Sequence, residues 1–389
     1  MSHEGDGKAL STRLIHAEKP DGKSFVSLAV PTYRGSTVVF PTLEDLDHPR
    51  EGQYRYGLHG SPTHRALTDR LAEIEGARHV QLAPSGLAAI ALTFLSFLRS
   101  GNHLLVPKSS YGPTVDLANG LLADLGVETE LYDPMVGGNI ASLIRDNTAL
   151  VWSESPGSIS MEFQDVPAIS AAARAKGVPV AIDNTYGAGV LFDAFAAGCD
   201  VSVQALTKYQ AGHSDVLMGS VATRDEQLGK KIQRAAMLLG FGVSPDDCSL
   251  VLRGLKTFEL RLRHLGESTL KVAAWLSRRE EVTAVLHPAF SDCPGHDVWK
   301  RDWTGSASLF SVIFGSWSRQ QVVTFVEALK LFGIGFSWGG ANSLAITYHD
   351  LDRPSAELGP LLVRLNIGLE DPADLIADLE QALAQASSL

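Results

Sequence analysis

Across the first sixty positions the apolar residues show little periodicity, and Pro31, Pro41 and Pro49 punctuate a stretch rich in Gly, Ser and Thr. Such a stretch reads as an extended arm, because proline removes a backbone donor and clashes inside a helix. The texture changes at Pro62. Leu67, Leu71 and Ile74 recur at helical spacing and stop at Glu75-Gly76, where a glycine closes the helix. Pro84-Ser85-Gly86 then opens a second, strongly apolar helix that runs to about residue 99. Short β-branched runs follow at 103–106, 127–132, 149–153, 178–182 and 201–206, with helical patterns at 113–125 and 166–176 between them. Strands that are apolar on both faces and alternate with helices predict a mostly parallel α/β sheet covered on both sides. In such sheets ligands bind beyond the carboxyl ends of the strands, which directs attention to the residues found there.

Helix dominates after residue 225, and the amphipathic run 246–277 predicts one long helix. Strand patterns at 309–314, 344–347 and 362–367, closed by a helix over 372–386, predict a smaller α+β unit. The expected organisation is an arm over 1–58, a large unit over 59–250 and a small C-terminal unit over 251–389.

Composition narrows the class. The chain has 389 residues, 45% of them hydrophobic, and a net charge of −11 with no basic block. Nucleic acid and anionic membrane surfaces are therefore poor partners. No apolar run is long enough to cross a bilayer, and residues 1–6 are polar, without a signal or transit pattern. Cys199, Cys248 and Cys293 are widely spaced and odd in number, so neither a disulfide framework nor a zinc site is expected. His213 and Asp215 lack a third ligand, so no metal is expected there either. These features predict a cytoplasmic globular protein.

The most informative pair is Asp183 and Lys208. Asp183 stands where the apolar run 179–182 stops, and Lys208 two residues past the run 203–206. One right-handed crossover between them would bring both to the same sheet edge. Either residue alone also suits a solvated cap or an ion pair. A lysine amine held among apolar neighbours loses its proton readily and becomes nucleophilic, which is what covalent capture of pyridoxal phosphate requires. A carboxylate about 4 Å from the ring nitrogen would contribute roughly 4 kcal/mol toward keeping it protonated, and Asp183 suits that role. Ser85-Gly86-Leu87 at a helix start offers free N–H groups for a phosphate, although Ser85 equally suits a plain N-cap. Tyr111 could stack on a flat ring or be an ordinary loop residue.

Together these residues resemble the Cys/Met-metabolism family of fold-type I enzymes that use pyridoxal 5'-phosphate. The carriers include Tyr56-Gly57, Ser85-Gly86, Tyr111, Glu154-Ser155-Pro156-Gly157-Ser158, Ile182-Asp183-Asn184-Thr185, Thr207-Lys208-Tyr209, Gly254-Leu255-Lys256-Thr257, Ser337-Trp338-Gly339-Gly340 and the segment from Arg364 to Asp371. The similarity runs in order through nearly the whole chain. It implies an aminotransferase-like large domain with a seven-stranded, mostly parallel sheet. It further implies that Lys208 is joined to the cofactor aldehyde, that Asp183 pairs with the ring nitrogen and that Tyr111 stacks on the ring. Gly86, Leu87 and Thr207 would hold the phosphate, and Tyr56 would reach the cofactor of a neighbouring subunit in a dimer of dimers. Arg364, helped by Ser337 and Trp338, would bind the α-carboxylate of a small amino-acid substrate.

Two positions depart from the family pattern. Leu58 stands where an arginine usually binds phosphate, which removes a contact of roughly 1.5–3 kcal/mol; Arg55 or His59 is expected to compensate. Ala205 replaces a frequent serine three residues before the lysine. Within the family, Phe336 and Trp338 resemble the β-lyase branch, and no cysteine occurs in 112–116. The implied reaction is β-elimination on L-cystathionine or related cysteine S-conjugates, giving homocysteine or another thiol, pyruvate and ammonia. The alternative is a γ-lyase or O-acyl-homoserine sulfhydrylase reaction on the same scaffold.

Overall fold

Seven strands form the larger of two sheets in a computed structural model, which describes residues 8–15, 27–50, 52–349 and 358–389. They are β1 (His79–Ala83), β2 (His103–Pro107), β3 (Glu128–Tyr132), β4 (Thr148–Glu154), β5 (Val180–Asp183), β6 (Val201–Ala205) and β7 (Gly219–Thr223), in the spatial order β1-β7-β6-β5-β4-β2-β3. Neighbours from β6 to β3 are parallel, while β7 runs antiparallel to both β6 and β1. The expected five strands are present with their ends moved by one or two residues. β1 and β7 are additional, and they give the sheet its mixed edge.

Burial on both faces explains the continuous apolar runs. Along β4, Leu150 and Trp152 pack toward helix Gly86–Phe97, where Phe94 meets Trp152 edge-on at 5.0 Å, while Val151 belongs to the core on the opposite face. On that opposite side Phe163, Tyr186 and Trp303 form an aromatic cluster with centroid separations of 5.1–6.1 Å. The second sheet comprises β8 (Ala284–Leu286), β9 (Leu309–Ile313), β10 (Gly333–Ile334), β11 (Leu344–His349) and β12 (Leu361–Asn366), ordered β10-β11-β12-β9-β8. Helices Arg319–Ala328 and Pro372–Ser387 cover one of its faces.

Three expectations need correction. The arm is not wholly extended: helices Leu10–Ile15 and Leu43–Asp47 interrupt it. The first buries Leu14 in the main core, and Arg13 donates to Glu73 at 2.5 Å; the second fits between Pro41 and Pro49 with Thr42 as its cap. Residues 1–7, 16–26 and 51 of the arm lie outside the described residues. The helix expected over 113–125 runs from 112 to 124, but it is not uniformly α-helical: a wider π turn at Ala118–Leu122 interrupts it. The long helix expected over 246–277 is two helices, Pro245–Leu255 and Phe258–Leu276. Buried Arg261 explains the break, since its guanidinium donates to the Tyr209 and Gly254 carbonyls, each at 2.8 Å, and its Nε to Thr257 Oγ1 at 3.1 Å. A straight helix would lose these bonds, which tie the break to the segment just after Lys208.

Candidate active site

The carboxyl ends of β2, β4, β5 and β6 open onto one edge of the large sheet, and a cavity of about 650 Å³ lies there, closed on its far side by the small sheet. The cavity is lined by Lys208, Asp183, Tyr111, Gly86, Leu87, Thr207, Ser337, Trp338 and Arg364. Its only acids among the described residues are Asp183 and Glu154, and its only lysine or arginine side chains Lys208 and Arg364. Tyr56 is not part of it: half-exposed, it bridges to Thr37 and packs edge-on against His59. Arg55, Leu58 and His59 line a second cavity of about 550 Å³ instead.

Lys208 follows β6 by three residues. Its Nζ donates to Ser337 Oγ at 2.5 Å and stands 5.1 Å from the Trp338 ring centroid. Burial, then the charge of Arg364, lowers its pKa to about 8, with Asp183 acting in the opposite direction. A neutral, nucleophilic fraction is thus present at ordinary pH. Asp183 ends β5, and its Oδ1 accepts the Thr185 N–H at 2.9 Å. Burial raises its pKa, which the Thr185 bonds and Lys208 oppose. The same Thr185 hydroxyl accepts the Ala205 N–H at 2.9 Å, so one side chain fixes the ends of both strands.

The cavity wall at the start of helix Gly86–Phe97 is built by close approach. Helix Gly86–Phe97 starts at the cavity with Ser85 as its cap, Ser85 Oγ accepting from the Ala88 N–H at 3.0 Å. The Gly86 and Leu87 N–H groups then have no intrahelical acceptor, and they carry the positive end of the helix dipole. A Cβ on Gly86 would come within 2.7 Å of the Ala205 methyl, so glycine is what lets this helix end meet β6. The Thr207 hydroxyl bonds the Met218 carbonyl at 3.3 Å and the Met218 N–H at 3.2 Å, which fixes it beside the cavity.

On the opposite wall Arg364 projects from β12. It is buried, donates to the Ser158 carbonyl at 3.1 Å and, among the described residues, has no carboxylate in ion-pair range. Ser337 holds φ +80°, a left-handed backbone that strains a non-glycine residue by about 1–3 kcal/mol. Its loop packs directly on Lys208, because a Cβ on Gly339 would lie 3.2 Å from Lys208 Cβ.

The geometry gives Glu154 a definite place. It ends β4 in register with Asp183 on β5, and its Oε2 accepts the Tyr111 N–H at 2.8 Å. Burial first, and Asp183 second, push its carboxyl well above the ordinary range. Of two adjacent buried carboxyls, one keeps its proton. Glu154 has no cation beside it, whereas Asp183 has Lys208. An acid at a strand end before Ser155-Pro156 looks like a turn residue in sequence, which is why no signal singled it out.

A phosphorylated pyridine aldehyde needs an amine, an anion for its ring nitrogen, a flat face and free N–H donors. Lys208, Asp183, Tyr111 and the Gly86–Leu87 helix end supply these four chemistries around one cavity, so the residues fit the group. The family described as Cys/Met metabolism PLP-dependent enzyme matches residues 11–384. The chain belongs to this family. Among its Cys/Met-metabolism relatives, a cystathionine beta-lyase from Bordetella avium is 43% identical over 368 residues, 92% of each chain. The cystathionine beta-lyase of Escherichia coli is 39% identical over 392 residues, covering 97% of this chain and 99% of that one. The solved structure of cystathionine gamma synthase from Xanthomonas oryzae in complex with cystathionine superposes with a TM-score of 0.90 at 28% identity, covering 98% of this chain and 99% of that one. A mostly parallel seven-stranded sheet with a second, smaller sheet is therefore the family fold, and the cofactor is pyridoxal phosphate. Among the described residues no helix is long and apolar enough to cross a membrane, and no group of three or more His, Cys, Asp or Glu is placed for a metal ion.

Proposed function

We propose that this chain is a carbon–sulfur lyase that performs β-elimination on L-cystathionine or a related S-substituted cysteine. The carrying observation is the cavity's charge pattern: a low-pKa amine at Lys208, acids confined to the large-sheet edge, and facing them the Arg364 guanidinium, which has no carboxylate partner among the described residues. Phe336, exposed and lining the same cavity, offers an apolar wall where a γ-enzyme commonly has an acid. The relatives named cystathionine beta-lyase, at 39–43% identity over nearly the whole chain, support the same reading.

Arg364 takes the substrate α-carboxylate bidentately, with Ser337 and Trp338 bordering it. Asp183 keeps the ring nitrogen protonated, Tyr111 covers the ring, and Gly86 and Leu87 donate to the phosphate with Thr207 beside them. Pyridoxal phosphate, when bound, supplies the aldehyde that joins the substrate amine and a ring that accepts the electron pair from Cα. Lys208 Nζ would remove the Cα proton as general base. The Cβ–S bond breaks, and the sulfur receives a proton from Lys208 Nζ or the Tyr111 hydroxyl. Water then converts the three-carbon fragment to pyruvate and ammonia.

The working unit is a homo-oligomer, a dimer of dimers in which Tyr56 serves the neighbouring cofactor. Tyr56 lies away from its own chain's cavity, and Leu28, Val39 and Leu43 on the arm are strongly exposed. Arg55 or His59 stands in for the arginine missing at Leu58. Residues 1–58 form the arm, 59–250 the cofactor-binding unit and 251–389 the smaller unit. Three free, buried cysteines suit the reducing cytoplasm. Product identification tests the reaction. Purified holoenzyme given L-cystathionine should release pyruvate and homocysteine; 2-oxobutyrate and cysteine would assign it to the γ class instead.

A further inference from the structure

We propose that Tyr348 is a positioning residue for Arg364, and that through it the chain sets how tightly it holds the α-carboxylate of its amino-acid substrate. This rests on the carboxylate-binding role given to Arg364 above.

β11 and β12 pair antiparallel with Tyr348 opposite Leu362 and Ile346 opposite Arg364. Tyr348 and Arg364 are therefore diagonal neighbours on one face of the small sheet, within reach for long side chains. That face looks into the cavity, since both residues line it. Along β12, Val363 and Leu365 belong to the core on the other face. The Arg364 guanidinium carbon lies 5.5 Å over the Tyr348 ring centroid, inside the range of a cation–π contact.

The ring compensates for a shortage of partners. A guanidinium carries five N–H donors, and among the described residues only Nη1 has a protein acceptor, the Ser158 carbonyl at 3.1 Å. Such a buried, underbonded arginine is free to swing unless something fixes its plane. The strand places the Tyr348 ring within cation–π range of the guanidinium, where it covers part of that group and leaves other N–H donors for a ligand. A planar fork held this way meets a carboxylate with less rotamer freedom left to lose. Tyr348 itself is partly buried against the main core, so its own ring is held in place.

The test uses holoenzyme of the parent and of Tyr348→Leu, Tyr348→Met, Tyr348→Phe and Arg364→Ala, each first checked for folding by thermal melting. Glycine, which has no Cβ to eliminate, serves as the probe, with its Kd read from the change in cofactor absorption; KM and kcat are measured with L-cystathionine. Tyr348→Leu and Tyr348→Met should weaken glycine binding and raise KM by about 2- to 30-fold, the range an interaction of cation–π strength spans. Their kcat and cofactor affinity should stay unchanged, and Tyr348→Phe should match the parent. Parent-like glycine binding in the Leu and Met variants, with Arg364→Ala impaired, overturns this inference alone. A Phe variant as weak as Leu overturns the role of the ring. Parent-like binding in Arg364→Ala overturns the role of Arg364 itself.

Discussion

On the large-sheet wall of the cavity, Asp183 and Glu154 are pinned at strand ends by backbone N–H donors, at 2.9 Å from Thr185 and 2.8 Å from Tyr111. On the small-sheet wall, Arg364 donates to one described acceptor, the Ser158 carbonyl, and Ser337 sits in a strained left-handed conformation. The two acids of the first wall are held in place without a ligand, and parallel strands deliver them to one edge in fixed register. The second wall is left unsatisfied. That contrast is what a resident cofactor and an exchanging substrate call for: preorganised polar groups for the one, unmet donors for the other.

The contrast breaks most visibly at Asp183. Asp183→Asn removes a charge interaction of roughly 4 kcal/mol with a ring nitrogen, so kcat should fall by about 10³-fold and the cofactor's absorption should change. KM should move little, because Arg364 is untouched. A raised KM with an unchanged kcat would place Asp183 on the substrate side and erase the distinction between the walls.

A smaller effect sharpens the large-sheet side. The Glu154 carboxyl is held well above its ordinary value of 4.5 by burial, with Asp183 adding to it. Above that ordinary value the unfolded chain releases the proton while the folded chain retains it, so the carboxyl's contribution to stability declines as pH rises toward its folded pKa. Glu154→Gln keeps an acceptor for the Tyr111 N–H and has no proton to hold. Its Tm relative to the parent should therefore climb as pH rises above the ordinary carboxyl value of 4.5. A Tm difference that is flat with pH, or falls, would mean that Glu154 is ionised in the folded protein.

Much of this arrangement is legible in the sequence, because parallel strands buried on both faces leave long apolar runs and deposit polar residues at their ends. Asp183 and Lys208 stand out for that reason. β7 escapes notice because Gly219-Ser220-Val221-Ala222-Thr223 is small rather than apolar. Its size is dictated from outside: a Cβ on Gly219 would lie 2.9 Å from the Ala89 methyl of the helix above. The break after Leu255 is equally hidden, since the cause is Arg261 reaching carbonyls of the segment after Lys208, some fifty residues earlier. Glu154 and Tyr348 act through partners on other strands, and no local pattern announces such pairs. Tyr56 was legible as a motif residue, but a single chain gives it nothing in the cavity to act on.

The most direct test concerns Lys208. Reduction of the purified holoenzyme with borohydride, followed by peptide mapping, should place a pyridoxyl mass on Lys208, and Lys208→Ala should carry no such label and show no lyase activity. A label on a different lysine, or on none, would contradict the assignment of this amine as the group that binds the cofactor.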